Sequence, residues 1–251
     1  MTPPRPGAPL PPHPALEGYY RDEPDRRRRL GDWFDRFAPV YDRASRMVGF
    51  GQGDLYRRDA LLRAGLRPGM RVLDVACGTG LVGAHAARIA GAAGLAVGLD
   101  PSAGMLASAF PRRLPHVVRG VAESIPFADG AFDFLCMGYA LRHVADLRRT
   151  FGEYRRVLRP GGTALLLEIT PPASRPARAL LRLYLGRLLP LAVRVCGGGR
   201  SGETVMRYHW ETIARCVPPE TILSALRDAG FAAAARRVIL GIFSEYTARR
   251  G

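Results

Sequence analysis

A glycine-rich segment, Gly78-Thr-Gly80-Leu-Val-Gly83, constrains the fold of this 251-residue chain more than any other feature. Residues 70–75 before it form an apolar, β-branched run that predicts a buried strand, and residues 81–90 after it predict a helix. Glycines at such a junction permit a sharp turn and a close approach of the backbone to a ligand. Asp100 stands 20 residues past Gly80, at the end of the next predicted strand. This combination is typical of nucleotide-binding α/β sheets, although the glycine spacing alone is weak evidence.

The rest of the chain continues the alternation of strands and helices. Apolar runs predict strands at 70–75, 95–99, 116–121, 132–137 and 163–169, with helical patterns between them. Residues 233–240 and 242–247 predict two further strands that turn tightly at Gly241. The predicted fold class is therefore α/β: a doubly wound, Rossmann-like sheet of seven mostly parallel strands, with an antiparallel C-terminal hairpin and helices on both faces. Ligands of such sheets bind at the carboxyl ends of the strands.

The sequence also predicts how the chain is divided. Residues 1–30 are rich in Pro and Arg and predict a disordered leader, and residues 31–251 predict a single domain. That domain comprises an N-terminal helical lid (31–66), a ligand-binding core (67–170), a helical cap (171–217) and a C-terminal helix with the hairpin (218–251).

The chain shows neither an apolar run of about 18 residues nor an apolar N-terminal segment of the kind that signal peptides carry. We therefore expect no membrane-spanning helix and a cytoplasmic location. The apolar stretch 177–195 has three interpretations: a cap helix packed on the sheet, the lining of a lipophilic pocket, or a segment that lies on a membrane surface.

The net charge of +15 would usually suggest a nucleic-acid partner. All 37 basic residues are Arg, however, and the chain contains no Lys and no Asn, which indicates a compositional bias. Aromatic residues do not alternate with the basic ones in a stacking pattern, so we expect no nucleic-acid partner. The four cysteines have no zinc-binding spacing, and we expect no metal. Nothing in the sequence specifies an oligomeric state.

Acidic residues around the glycine turn discriminate between ligands. Asp74 falls just before the turn, where its carboxylate would repel the pyrophosphate of a dinucleotide. S-adenosylmethionine has no phosphate and carries a cationic ammonium and a cationic sulfonium, which an acidic strand end suits. Asp100 can accept hydrogen bonds from both hydroxyl groups of its ribose. Either carboxylate could instead only cap a turn or a helix.

Four segments in order resemble the motifs of class I S-adenosylmethionine-dependent methyltransferases. The segment Val72-Leu-Asp-Val-Ala-Cys-Gly-Thr-Gly80 resembles their first motif, and Gly98-Leu-Asp-Pro-Ser102, followed by Met105, resembles their second. Glu123-Ser-Ile-Pro-Phe127 and Arg156-Val-Leu-Arg-Pro-Gly-Gly162 are similar to the two later ones.

A narrower resemblance is to the ubiquinone/menaquinone biosynthesis C-methyltransferase family. It rests on Phe37-Ala-Pro-Val-Tyr-Asp42, Gly49-Phe-Gly51, Tyr139-Ala-Leu-Arg-His-Val-Ala-Asp146 and Met206-Arg-Tyr, and it runs from about residue 34 to the end. The chain departs from the family at Val121, at His143 in place of the usual Asn, and at the end of the fifth strand.

The resemblance implies cofactor contacts at Thr79, Asp100, Val121, Ala122 and Gly138. Together with the residues of the turn and the lid, the predicted contacts to S-adenosylmethionine are Tyr41, Asp74, Gly78, Thr79, Gly80, Asp100, Met105, Val121, Ala122 and Gly138.

The same resemblance predicts the chemistry. The expected reaction is methylation, most of all C-methylation, of a small phenolic or quinol-type acceptor that could be lipophilic. Arg142 would hold the phenolate or orient a water molecule, and His143 would act as the base. Structural roles for both residues stay open, and His209 and Trp210 of the cap could also reach the acceptor. The alternatives are an O- or N-methyltransferase of a specialised metabolite, a non-catalytic module that binds the cofactor, and an RNA methyltransferase, which the absence of an RNA-binding module disfavours.

Overall fold

A computed structural model describes residues 8–48, 53–110 and 113–251. Within these residues the strands are β1 (Arg71–Val75), β2 (Leu95–Asp100), β3 (His116–Arg119), β4 (Phe132–Gly138), β5 (Leu158–Ile169), β6 (Phe231–Ile239) and β7 (Phe243–Arg250). They form a seven-stranded sheet with the strand order β3-β2-β1-β4-β5-β7-β6. All pairs from β3 to β5 are parallel, and β7 pairs antiparallel with β5 and with β6. The predicted fold class is therefore confirmed, including the antiparallel hairpin at the edge.

The strand order places the functional edge of the sheet. β1 lies between β2 and β4, so the chain leaves β1 at the point where the order reverses. Val75 at the end of β1 pairs with Leu99 of β2, and Asp74 pairs with Cys136 of β4. The carboxyl ends of these three parallel strands therefore meet at one edge, which is where such sheets bind ligands.

Helices cover both faces of the sheet because its central strands are apolar on both sides. The helices are α1 (Glu23–Val48), α2 (Gly53–Arg63), α3 (Gly83–Ala90), α4 (Ala103–Ala109), α5 (Leu147–Val157), α6 (Arg175–Leu183), α7 (Leu189–Val193), α8 (Gly199–Ala214) and α9 (Pro219–Asp228). One face of the sheet packs on α5 and α9, through Phe151 and Leu226 among others, and the other packs on α2 and α3, through Leu61 and Ala86. A single turn of 3₁₀ helix follows β4 at Leu141–His143.

The predicted disordered leader is wrong for residues 8–30; residues 1–7 lie outside the described residues. Leu16 and Tyr20 are buried against Tyr208 of α8, and α1 begins at Glu23, inside the supposed leader. Main-chain hydrogen bonds join Leu147 N to Leu10 O at 2.9 Å and Val217 N to Pro12 O at 2.8 Å. This proline-rich segment thus gains its place on the domain from tertiary contacts, which composition does not reveal.

The cap is built from α6, α7 and α8. A π-helical turn at Tyr184–Leu188 joins α6 to α7, and a kink with non-helical backbone at Cys196 and Gly197 separates α7 from α8. Leu185, Leu189 and Val193 pack into a core shared with Phe37 of α1, so part of the apolar stretch is an ordinary packed cap. α6 differs, because none of its nine residues is buried. Among the described residues, no helix is both long and apolar enough to cross a bilayer.

Candidate active site

The glycine turn is hydrogen-bonded to the carboxylate at the end of β2. Gly78 N donates to Asp100 Oδ2 at 2.8 Å, and Ser102 N donates to Asp100 Oδ1 at 2.8 Å. Gly78 has a φ of +55°, and no atom outside its chain neighbours lies within 4 Å of the place where a Cβ would stand. The turn therefore exposes bare backbone to the cavity above it. Burial raises the pKa of Asp100 to about 6.

Asp74 lies beneath the turn and not on the wall of the cavity. It is 2% exposed, its Oδ1 lies 3.5 Å from Cys136 Sγ, and burial raises its pKa to about 7. A Cβ on Gly83 would stand 2.8 Å from Asp74 Oδ2, so glycine is required where α3 passes this carboxylate. Asp74 was predicted to contact the ligand directly. In the structure it lies under the turn and supports it instead.

Thr79 and Gly80 also support the turn. Thr79 is 1% exposed and donates through Oγ1 to Asp42 Oδ1 of α1 at 2.6 Å. Gly80 has a φ of +80° and fits against Ala109 at the end of α4. These residues attach the turn to the surrounding helices.

A cavity of about 390 Å³ opens above the turn at the carboxyl edge of the sheet. Its wall includes many of the predicted site residues and a larger number of apolar side chains from α1, the cap and β7. The predicted residues on this wall are Tyr41, Gly78, Asp100, Met105, Gly138 and His143. Neither Val121 nor Ala122 is among the residues that line it: Val121 is 41% exposed after β3, and Ala122 packs in the core.

Helix α1 forms one side of the cavity and is fastened to two strand ends. Asp35 Oδ1 accepts hydrogen bonds from Ser102 Oγ at 2.5 Å and from Gly104 N at 2.9 Å. With the contact from Thr79 to Asp42, these bonds hold Phe34 and Tyr41 against the cavity. The resemblance segment at 49–51 lies outside the described residues.

The structure corrects the role predicted for Arg142. Its side chain is 0% exposed, and its three nitrogens all donate to protein acceptors: Nε to Glu168 Oε2 at 2.8 Å, Nη1 to Thr212 Oγ1 at 2.6 Å and Nη2 to Tyr139 O at 3.0 Å. It joins β4, β5 and α8 and does not reach the cavity, so the predicted contact with a phenolate was wrong. Neither of its two side-chain partners is adjacent in sequence, and the pattern around Leu141–His143 gave no sign of them.

His143 does reach the cavity, as predicted. Its ring stacks on Tyr208 with centroids 5.6 Å apart and meets Phe34 edge-on at 5.4 Å. Burial lowers the pKa of His143 well below its usual range, and the nearby Arg142 adds to the effect. Its Nδ1 is buried without a hydrogen-bond partner. Burial therefore favours the neutral form of this imidazole.

His209 of α8 contributes a second neutral imidazole to the same wall. Burial lowers its pKa well below the usual range, and Arg142, whose Nη1 lies 3.4 Å from the His209 carbonyl oxygen, lowers it further. The positive charge of Arg142 acts on both histidines, and that of Arg26 acts on His143. The same positive potential stabilises an anionic oxygen placed against the imidazoles.

Sequence reasoning missed Arg57 of α2 and Tyr139. Arg57 is 7% exposed and lines the cavity, with its guanidinium carbon 5.9 Å from the centroid of the Tyr139 ring. It shares the buried face of α2 with Ala60 and Leu61, at helical spacing. The sequence did contain a sign of this residue, because an arginine at a position that shares the apolar face of a helix is unusual.

Fold and site together define a methyltransferase of the Rossmann-like class that depends on S-adenosylmethionine. Solved structures support the fold: a S-adenosylmethionine-dependent methyltransferase from Thermotoga maritima aligns with a TM-score of 0.63 and 19% identity over 88% of this chain and all of that one. A second such enzyme, from Aquifex aeolicus, aligns with a TM-score of 0.59 and 16% identity over 83% of this chain and 98% of that one.

The chain belongs to the ubiE/COQ5 methyltransferase family, whose model matches residues 23–248. It is 33% identical, over 90% of both chains, to a ubiquinone/menaquinone biosynthesis C-methyltransferase of Geobacter sulfurreducens. It is 34% identical, over 85% of this chain and 89% of the other, to a demethylmenaquinone methyltransferase of Symbiobacterium thermophilum. The predicted class of enzyme, cofactor and family are thereby confirmed.

Proposed function

We propose that this enzyme methylates a ring carbon of a lipophilic quinol. The observation that carries the proposal is the cavity itself, in which apolar side chains of α1, the cap and β7 face a wall with two neutral imidazoles. An isoprenoid-substituted ring fits such a lining, because its tail is apolar and its hydroxyl groups are polar. The relatives named for menaquinone and phytylnaphthoquinone methylation support the same acceptor class.

Gly78, Asp100, Met105 and Gly138 would hold the cofactor from the sheet edge. The bare backbone at Gly78 admits close approach of the methionine part, and the carboxylate of Asp100 is available to the ribose hydroxyl groups. Tyr41 would cover it from α1. Bound in this way, the cofactor supplies an electrophilic methyl group, and the protein's task is to orient the acceptor carbon towards it.

The imidazoles of His143 and His209 would contact the acceptor ring. As the carbon–carbon bond forms, the carbon–sulfur bond breaks, and the ring carbon must then lose its proton for aromaticity to return. His143 is proposed as the group that takes this proton, since a weak base suffices for so acidic an intermediate. His209 would face the phenolic oxygen, which the potential of Arg142 helps to keep anionic.

The cap surface is proposed to contact an anionic membrane on the cytoplasmic side. Residues 171–200 contain six Arg and no Asp or Glu, and Leu180 and Leu183 of α6 are 69% and 44% exposed. Leu240, 84% exposed, lines the cavity and stands in the turn between β6 and β7. Val205 and Met206 of α8 line the same cavity, so cap and cavity adjoin. Exposed leucines among arginines are typical of helices that bind anionic bilayers.

The test is transfer of an isotopically labelled methyl group from S-adenosylmethionine to a chemically reduced 2-polyprenyl-1,4-naphthoquinol. We expect a product whose added methyl group is bonded to carbon, as shown by its NMR shift. His143→Gln should lower turnover by about 10² with unchanged cofactor affinity, whereas His116→Gln, on an exposed histidine, should not change it.

An O- or N-methylated product, or transfer only to other phenols, would contradict the proposed acceptor. Cofactor binding without transfer to any phenolic acceptor would support the non-catalytic alternative. Normal turnover in His143→Gln and loss in His209→Gln would move the proton transfer to His209.

A further inference from the structure

Helix α2 brings a guanidinium into the cavity that the reaction described above does not use. Arg57 is 7% exposed and points inward with the apolar face of its helix. Taking a guanidinium out of water is costly unless strong partners replace the water. The hydrogen-bond and ion-pair partners that the protein provides for Arg57 therefore indicate whether a ligand is needed to neutralise its charge.

Those partners neutralise Arg57 only weakly. Nη1 lies 3.3 Å from Asp54 Oδ1, and the Asp54 side chain is 68% exposed, so water screens most of its charge. Nη2 donates to the uncharged Ser45 Oγ at 2.8 Å, and Nε is buried without a partner. The cavity wall at Arg57 therefore carries a positive charge and an unused hydrogen-bond donor.

The sheet topology places Arg57 opposite Asp100. The strand order β2-β1-β4 puts Asp100, the glycine turn and Tyr139 side by side along the edge. Arg57 lies over the Tyr139 ring, and its helix neighbour Asp54 lies 3.7 Å from His85 Nε2 of α3, which follows the glycine turn. A ligand whose ribose is held by Asp100 and which crosses the turn at Gly78 ends beside Arg57.

We propose that Arg57 binds the α-carboxylate of the methionine part of S-adenosylmethionine. In that ligand the carboxylate is the group farthest from the ribose in the direction of the turn. A guanidinium matches a carboxylate in geometry and charge, and the pair is strengthened by the low exposure of the site. Ser45 and Tyr139 position the guanidinium for this contact.

The experiment compares two ligands that differ only in this group: S-adenosylmethionine and its decarboxylated form. Calorimetric titration gives a Kd for each with the wild type, with Arg57→Met and with Arg58→Met, a change of the exposed neighbouring arginine. We expect Arg57→Met to weaken binding of S-adenosylmethionine at least tenfold and to leave the decarboxylated ligand unchanged. Arg58→Met should leave the ratio of the two Kd values as in the wild type. Arg57→Lys should retain part of the wild-type preference for S-adenosylmethionine over the decarboxylated ligand.

Each other outcome overturns the assignment. Equal weakening of both ligands in Arg57→Met would assign Arg57 a structural role in shaping the cavity, and a thermal melt would show whether the fold has suffered. Unchanged affinity for both ligands, with slower methyl transfer, would place Arg57 against the acceptor instead. Neither readout depends on which acceptor the enzyme uses.

Discussion

The hydroxyl group of Thr79, in the glycine turn, donates a 2.6 Å hydrogen bond to Asp42 on helix α1. The second oxygen of Asp42 lies 2.6 Å from Arg113 Nη2, so one carboxylate joins α1 to the turn after β1 and to the segment between α4 and β3. Because α1 also supplies Tyr41 to the cavity, this contact connects the wall over the cofactor with the turn beneath it.

Asp42→Ala should remove the contacts that hold helix α1 against the glycine turn. We expect the Kd for S-adenosylhomocysteine to rise several-fold, mainly through a faster dissociation rate, and the free energy of unfolding to fall by about 1–2 kcal/mol for the lost charged hydrogen bonds. Stopped-flow binding and urea unfolding measure the two effects. Asp32→Ala changes an exposed carboxylate of the same helix and should change neither; equal effects in both variants would refute a specific role for Asp42.

Arg142→Met should lower the free energy of unfolding, because the side chain of Arg142 has a structural role. The change leaves Glu168 buried and unpaired, and breaking a buried pair in this way costs about 3–5 kcal/mol. Urea unfolding of Arg142→Met beside Arg175→Met, on an exposed arginine of α6, measures the difference, and the second change should cost less than about 0.5 kcal/mol. A fully stable Arg142→Met protein without activity would restore the catalytic role that the sequence predicted.

Cofactor affinity should depend on pH through Asp100. Its pKa is raised to about 6 in the free protein, and the ribose hydroxyl groups need the ionised carboxylate as acceptor. Below pH 6 most of the carboxyl groups must lose a proton before the ligand binds, so affinity should fall about fivefold between pH 6 and pH 5. Burial lowers the pKa values of His143 and His209 and so favours their neutral forms.

Calorimetry across this pH range checks the prediction with two variants. Asp100→Asn should bind weakly with a flat pH profile. Asp74→Asn removes the other carboxyl with a raised pKa, about 7, and should keep the slope between pH 6 and pH 5. If Asp74→Asn abolished the pH dependence of cofactor affinity, the titrating group would be Asp74 and not Asp100.

The cap surface should bind vesicles that carry negative charge. We expect co-sedimentation with phosphatidylglycerol vesicles and little with phosphatidylcholine, because the six arginines of residues 171–200 need anionic headgroups. Replacing Leu180 and Leu183 by Ser should weaken the binding at least several-fold. Val238→Ser, on an exposed apolar residue of β6, is the matched control. Binding that is equal for both lipids, or unaffected by the leucine changes, would exclude this surface.

Several features of the site could be predicted because they depend on local sequence. The turn at Gly78–Gly80 needs positive φ angles, and Asp100 must follow a strand to stand beside that turn, so both could be located from spacing. Arg142 shows the opposite case. Its segment matched a family pattern, yet its partners Glu168 and Thr212 come from β5 and α8, and no local pattern brings three such elements together.

The sequence by itself determined the α/β class, the order of its strands and helices, and the turn that receives the cofactor, because hydrophobic periodicity and glycine positions act over short distances. Only the tertiary structure decided which polar groups face the cavity. It buried Asp74 and Arg142 behind the wall and placed Arg57 and His209 among the residues that line the cavity. It also ordered residues 8–22 through contacts with α5 and α8. Burial and pairing between distant elements depend on how helices pack on the sheet, and that arrangement is a property of the whole fold.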